Sequence, residues 1–417
     1  MDPRTRWLSW IELDRDALAH NLATFRALLH PSTKLLQVVK ANAYGHGLAL
    51  VVQAASSSVD AFGVHTLEEA QAVREAGWTG LLLLMGPFSR EATPVIADLD
   101  LEVTVFEPTA VQSLDELGRS RGKRIPCHLK VETGTHRQGA DLEEIPALLD
   151  LFRASPGVRL AGLSTHYANI EDTTDHSFAL DQLTRFRSIA ELVRSRGFEP
   201  LTRHTACTAA ALTLPDTLFD LLRLGIGAYG LWPSRETLAS TRARSALELK
   251  PVLGWKTRVT QLKWVEAGEY VGYGLAHRCG HRTRLGVLPI GYADGYQRIR
   301  TNRVGALVRG ERVPLVGTIA MDAVMADVTD VAGPPVTIDD EFVLLGRQGD
   351  RTLTAAELAH EGTTISWEVL AGMARRLPRV YYAAARVVGM RTLADERGCC
   401  QSDSSTTPGE GSRPSGS

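Results

Sequence analysis

The chain reads as an α/β protein, an N-terminal (β/α)8 TIM-like barrel followed by a mainly β C-terminal domain. Two textures along its 417 residues predict this. From about residue 35 to 230, short β-rich runs alternate with helical patterns, the rhythm of strand–helix units around a parallel sheet. After Pro251 long helical patterns stop and β-branched alternation takes over, as in KTRVTQLKWVEAGEYVGYG and GALVRGERVPLVGTIAMDAVMADVTD. The length also suits two or three domains of roughly 100 to 200 residues.

The strand runs of the first region are, in order, LLQVVKA, AFGVHT, LLLLMG, LEVTVF, PCHLKVET, RLAGLSTHY, LTRHTA and FDLLRLGIGAYG. Helical segments such as LEEAQAVREAG and HSFALDQLTRFRSIAELVRSRG lie between them. Eight strands in under ~250 residues are what a closed barrel needs, whereas an open doubly wound sheet more often has five or six. The expected barrel spans residues 1–245, its extreme N-terminal strand able to pack on the β domain of residues 246–393. Residues 394–417 end in SDSSTTPGEGSRPSGS, which lacks the apolar groups to offset the entropy of ordering, and read as a disordered tail.

Composition narrows the function classes. The 46 basic and 48 acidic side chains leave a net charge of −2, so no global field draws the chain to nucleic acid or anionic lipid. Its longest aliphatic stretch, Leu81 to Met85, is far short of the ~20 apolar residues of a membrane helix. The opening MDPRTRWLSWIELDRD never develops an apolar region of ~7 to 15 residues, so a cytoplasmic protein is expected rather than a secreted one. Five cysteines without metal-ligand spacing (Cys127, Cys207, Cys279, Cys399, Cys400) read as free thiols, with no metal site.

In a barrel the working side chains sit where strands end at their carboxyl side. Lys40 ends LLQVVK and runs into ANAYGHG, beside the phenol of Tyr44. A desolvated lysine there can form a Schiff base, the anchoring chemistry of pyridoxal phosphate; the alternative is a snorkelling surface lysine. RLGIGAYG, with Gly225 and Ile226, can turn backbone amides toward an anion at the usual phosphate position of such barrels, and Thr208 of HTACTAAAL can add a hydroxyl. Two ordinary strand-to-helix turns are the plainer reading. Polar strand ends also carry Lys130, Glu132 and Arg137 in HLKVETGTHRQG, His166 in LSTHY and His204 in RHT. Either histidine alone reads as structural, but several at one rim point to a polar site. Tyr273 in EYVGYGLA, out in the β domain, reads by itself as a packed strand tyrosine.

Taken together, VVKANAYGHG, ETGTHRQG, STHYANIED, RLGIGAYG, VGYG, IGYADGY and GTIAMD resemble, in this order, the alanine racemases of the barrel-type (fold type III) pyridoxal phosphate enzymes. The resemblance spans about residues 10 to 388 and implies interconversion of L- and D-alanine, supplying D-alanine for peptidoglycan. It makes Lys40 the cofactor anchor and the base for the D enantiomer, and Tyr273 the base for the L enantiomer. One base is needed on each face of a planar carbanion, and in the family the second comes from a partner subunit, so the resemblance implies a homodimer with shared active sites. A tyrosine of ordinary pKa is only about one-thousandth phenolate at pH 7. The family couples it to a histidine and an arginine, here His166 and Arg223, whose cationic or donor character would favour phenolate.

Arg223 would donate to the ring nitrogen without surrendering a proton, weakening the electron sink and favouring racemisation over decarboxylation or transamination. Arg137 and the backbone of Met321 would bind the substrate carboxylate. Tyr44, Thr208, Gly225 and Ile226 would hold the phosphate, Tyr292 would line the mouth, and a carbamate on Lys130 would orient Arg137. Two positions depart from the family pattern. Trp367 in TTISWEV replaces a tyrosine that touches the phosphate and narrows the pocket, and Thr318 replaces an arginine found at the entrance of some members. Alternatives are a racemase acting broadly on serine, lysine or arginine, and a non-catalytic pyridoxal phosphate carrier, against which the β domain with Tyr273 argues.

Overall fold

A computed structural model describes residues 6–395. The expected tail lies outside the described residues from position 396 onward, with Cys399 and Cys400. The chain opens with strand β1 (Ser9–Asp14). Eight parallel strands follow: β2 (Lys34–Val38), β3 (Ala61–Val64), β4 (Leu81–Leu84), β5 (Glu102–Val105), β6 (Ile125–Lys130), β7 (Val158–Ser164), β8 (Thr202–His204) and β9 (Leu221–Leu224). They pair in the order β8-β7-β6-β5-β4-β3-β2-β9, so the last strand returns beside the first. Two backbone bonds draw the remaining seam together, Asp220 N to Arg203 O at 3.0 Å and Arg223 N to Ala206 O at 3.2 Å. All eight predicted strand runs are strands of this nearly closed barrel.

Local chemistry sets the intervening helices. Thr66 and Glu69 form a reciprocal capping box that starts Leu67–Glu75. Pro108 opens Pro108–Arg121, and Gly122, at φ +61°, ends it in the left-handed conformation that glycine adopts without a Cβ clash. Helix Ser177–Ser195 buries Leu183, Phe186, Ile189 and Val193 on one face. Phe186 is fully buried, and truncating it to alanine would cost roughly 3 to 5 kcal/mol.

Strand β1 belongs to the second sheet. It pairs antiparallel with β10 (Leu253–Arg258) and parallel with the strand Arg379–Ala383, Leu13 lying opposite both Leu253 and Tyr381. This sheet has eleven strands among the described residues. Its inner face also reaches the barrel. The buried Arg379 donates to the Gly45 carbonyl from Nε (3.1 Å) and Nη2 (2.9 Å), and the Tyr381 hydroxyl donates to the His46 carbonyl at 2.8 Å. The segment just after Lys40 is therefore buttressed from the second sheet.

Candidate active site

Lys40 sits at the carboxyl end of β2, where the chain makes an unusual turn. Ala41, Asn42, Ala43 and Tyr44 all have φ between 52° and 55°, a left-handed helical turn built without glycine. Such backbone costs about 1 to 2 kcal/mol per residue and persists only where surroundings over-determine it. Here they do. Glu69 Oε1 accepts from Ala41 N at 2.6 Å and Asn42 Oδ1 from Leu48 N at 2.8 Å, while Arg379 and Tyr381 clamp the following carbonyls. Gly45 closes the turn at φ +78°, where a Cβ would lie 2.0 Å from the Leu370 carbonyl oxygen. Lys40 is no snorkelling surface residue, because burial first, and then the charge of Arg137, hold its amine below the ordinary lysine value.

The amine faces a cavity of about 730 Å³ at the barrel's carboxyl rim. The structure brings around it Lys40, Tyr44, Lys130, Arg137, His166, His204, Thr208, Arg223, Gly225, Ile226 and Trp367. Arg223 lies at its base. Its Nη1 donates to His204 Nδ1 (2.7 Å) and the His204 carbonyl (2.6 Å), and its Nη2 to the carbonyls of Thr165 (2.8 Å) and Thr205 (3.0 Å). Only Nε has no bond of this kind among the described residues, and it remains available to a ligand atom. Burial pushes the guanidinium down to about 10, so it keeps its proton at neutral pH.

His166 Nδ1 lies 3.4 Å from Arg223 Nη2. Burial and the Arg223 charge push this imidazole down to about 3, so it is not cationic, and of the two characters considered for it only that of donor remains. Lys130 is pushed down to about 8 by burial and by Arg137 and Arg223. Glu132 does different work from its neighbours. Its Oε1 accepts from Gly134 N (2.5 Å) and Thr135 N (2.6 Å), tying the loop that carries Arg137.

The amides of Gly225 (3.3 Å) and Gly227 (3.2 Å) converge on Thr208 Oγ1. A Cβ at Gly225 would come within 2.9 Å of the Tyr44 hydroxyl, so glycine keeps this corner open. Such a cradle beside a depressed lysine amine and a free arginine Nε fits pyridoxal phosphate, which needs an anion cup, a covalent anchor and a partner for its ring nitrogen.

Tyr273, Tyr292 and Met321 do not line this cavity. Tyr273 is not a packed strand residue either, for it stands in a short 3-10 turn and is 70% exposed. Thr318, buried behind it, donates from Oγ1 to the Tyr273 carbonyl at 2.6 Å, and Tyr292 N donates to the Ala320 carbonyl at 3.1 Å. The turn 317–322 thus gathers Tyr273, Tyr292 and Met321 into one exposed group.

Sequence reasoning passed over His65, Met85, Thr104, Ser164, Glu171 and Cys207, which also line the cavity. His65, Met85 and Ser164 lie at or just past strand ends, so the strand-end rule applied to every strand would have found them. Glu171 is pushed up to about 7 by burial and by Asp172, which no local pattern announces. Among the described residues no cluster of His, Cys, Asp and Glu could hold a metal, and Cys127, Cys207 and Cys279 are free.

Comparison with known proteins bears on the family and the fold. Residues 13–233 match the family described as alanine racemase, N-terminal domain, and residues 252–381 that described as alanine racemase, C-terminal domain. The alanine racemase of Desulfosudis oleivorans is 38% identical over 387 residues, covering 89% of this chain and 96% of that protein. The crystal structure of alanine racemase from Bacillus anthracis with bound L-Ala-P superposes with a TM-score of 0.86 at 30% identity, covering 93% of this chain and 98% of that one. That from Bartonella henselae with covalently bound pyridoxal phosphate gives 0.80 at 26% identity, covering 90% and 100%.

Proposed function

The chain belongs to the alanine racemase family, and on that premise we propose that its two bases are Lys40 of one subunit and Tyr273 of a second copy. It is a pyridoxal phosphate-dependent enzyme that interconverts L- and D-alanine. The observation that carries the residue assignment is the depressed, cavity-facing amine of Lys40 set against an exposed Tyr273 that does not line that cavity.

When bound, the cofactor supplies the electron-withdrawing ring that makes the Cα proton of alanine acidic. Lys40 would anchor it, Arg223 Nε would donate to its ring nitrogen, and Tyr44, Thr208, Gly225 and Ile226 would hold its phosphate. Arg137, with the backbone of Met321 from the second copy, would orient the substrate carboxylate. Lys40 Nζ then takes or returns the proton on one face of Cα and Tyr273 Oη on the other. Arg223 keeps its own proton, which limits how far the ring can withdraw electrons and favours rapid return of the proton to Cα. His166, held neutral, serves as a donor between Arg223 and the incoming phenol. Lys130, near half neutral at pH 8, has the free amine that carbamate formation requires, and the resulting charge would orient Arg137.

The same geometry supports a homodimer. Tyr273, Leu275, Met321 and Tyr292 are 70, 63, 53 and 41% exposed, an apolar group suited to the rim of a second copy's cavity. Trp367 lines the cavity from the chain's own C-terminal part, so substrate size is set partly within the subunit. Among the described residues no helix is long and apolar enough to cross a membrane. We place the enzyme in the cytoplasm, feeding D-alanine to peptidoglycan.

The test is Cα deuterium incorporation in heavy water, starting separately from L- and D-alanine and from serine and lysine, with chiral analysis of the products. Wild-type protein should exchange and equilibrate alanine fastest. Tyr273→Phe should lose exchange chiefly from the L side, by roughly 10²- to 10⁴-fold. Equal loss from both enantiomers would contradict the assigned faces.

A further inference from the structure

A chain of buried groups runs from Arg223 through the barrel interior to the opposite end of the sheet. His204 Nε2 lies 2.8 Å from His128 Nδ1, and His128 Nε2 lies 2.6 Å from Glu102 Oε2. Both histidines are at most 2% exposed, and Glu102 sits at the amino end of β5. The direction of the chain is forced. Arginine can only donate, so His204 Nδ1, at 2.7 Å from Arg223 Nη1, must accept and its hydrogen must be on Nε2. That hydrogen points at His128 Nδ1, which must accept in turn, leaving the His128 hydrogen on Nε2 and aimed at the carboxylate.

The barrel wall is shaped around this chain. The pairing of β6 with β7 shifts register between Cys127 and His128, setting His128 opposite Gly162. A Cβ at Gly162 would lie 2.2 Å from His128 Nδ1. A bulge and a glycine where a side chain must cross the sheet mark a placed group rather than packing that happens to be polar. Burial tends to raise the Glu102 carboxyl, but its interaction with His128, and after it the charge of Arg159, outweigh this and hold it below the ordinary value, so the chain ends on an ionised acceptor.

We propose that Glu102 and His128 are positioning residues for the racemisation. They lock His204 in the Nε2–H tautomer, so that its Nδ1 fixes the Arg223 guanidinium and turns Nε toward the cofactor ring. The proposal rests on the reading that Arg223 meets that ring. Among the described residues no carboxylate hydrogen-bonds Arg223; its negative counterpart stands two imidazoles away, which leaves the guanidinium a strong donor to the cavity. Orientation through a tautomer is a role in which an outer partner changes rate without touching substrate.

The experiment is nitrogen-15 NMR of the imidazoles in the holoenzyme, with steady-state kinetics and the visible spectrum of Glu102→Ala and Glu102→Gln. Wild-type protein should show both His128 and His204 as Nε2–H tautomers with bare Nδ1. Glu102→Ala should mix the tautomers, shift the cofactor absorbance and lower kcat by roughly 10- to 100-fold with little change in KM. Glu102→Gln, whose amide oxygen still accepts, should recover most of kcat. An Nδ1–H tautomer at either histidine in wild-type protein overturns the proposal without need of any variant. So does a Glu102→Ala enzyme with unchanged tautomers and kcat. Absence of a cofactor band that depends on Lys40 would instead sink the underlying functional reading, and the tautomers would still be readable.

Discussion

At the barrel rim the chemistry is held from every side, with the Nη donors of Arg223 bonded inside the chain and Lys40 seated on a left-handed turn clamped by Glu69, Arg379 and Tyr381. In the β domain, Tyr273 is 70% exposed and is held at its backbone carbonyl by the Thr318 hydroxyl. The rim has a cavity and a set of desolvated cations; the outer face has apolar groups and a phenol turned outward. A preorganised electrostatic site must be built within one rigid body, because each donor needs a fixed acceptor at about 3 Å. A second base must approach from the face of the planar centre opposite Lys40, a side that one lysine does not reach. The asymmetry is what a site completed by another copy demands.

The largest expected effect tests the rim. Lys40→Ala should abolish the absorbance of anchored cofactor and lower kcat by roughly 10⁴-fold or more, since it removes the anchor and a base together. Retained exchange from both enantiomers would break the contrast at its root. Mixing subunits sharpens it further. In dimers that pair a Lys40→Ala chain with a Tyr273→Phe chain, one of the two shared sites has both bases, so random co-assembly of two inactive variants should restore about a quarter of wild-type activity. No recovery would mean that each chain uses its own tyrosine.

Smaller effects probe how tightly the rim is held. Gly45→Ala places a Cβ 2.0 Å from the Leu370 carbonyl oxygen at a φ of +78°, and should lower stability by roughly 1 to 3 kcal/mol while weakening the cofactor anchor. Thermal melts and cofactor titration would show both, and an unchanged melt would mean that the clamp tolerates slack. The smallest effect is acid sensitivity. Burial pushes His46 down to about 4 and His166 to about 3, against about 6.5 in an unfolded chain. Between those values the unfolded state binds protons that the folded state refuses, so stability falls as pH drops below 6.5. The slope approaches ~1.4 kcal/mol per pH unit for each histidine. Calorimetry from pH 7 to 4.5 should show it, and His46→Gln should flatten it.

Much of this was legible in the residues. The eight strand runs announced themselves because parallel strands buried on both faces read as continuous apolar segments between helical patterns. Lys40 stood out because a charge that ends such a segment has few structural uses, whereas Arg137 and Arg223 took their roles from the family resemblance. Glu102 and His128 gave no such sign. A carboxylate at the amino end of a strand looks like ordinary surface, and a histidine inside PCHLKVET looks like a satisfied core residue, until the barrel closes and sets them 2.6 Å apart. The left-handed turn after Lys40 was equally hidden, since Ala41 to Ala43 are residues for which local preference favours the opposite hand.

The sequence by itself determined the alternation of strands and helices, the change to β texture after Pro251, and the lysine, arginine and glycine types at the rim, because periodicity and the cost of burying charge act on neighbours along the chain. Tertiary structure alone decided which imidazole nitrogen carries hydrogen, how far burial lowers Lys130 and His166, and that Tyr273 faces outward. Those properties depend on distances between residues tens of positions apart, and on the loss of water around them, neither of which exists before the barrel closes.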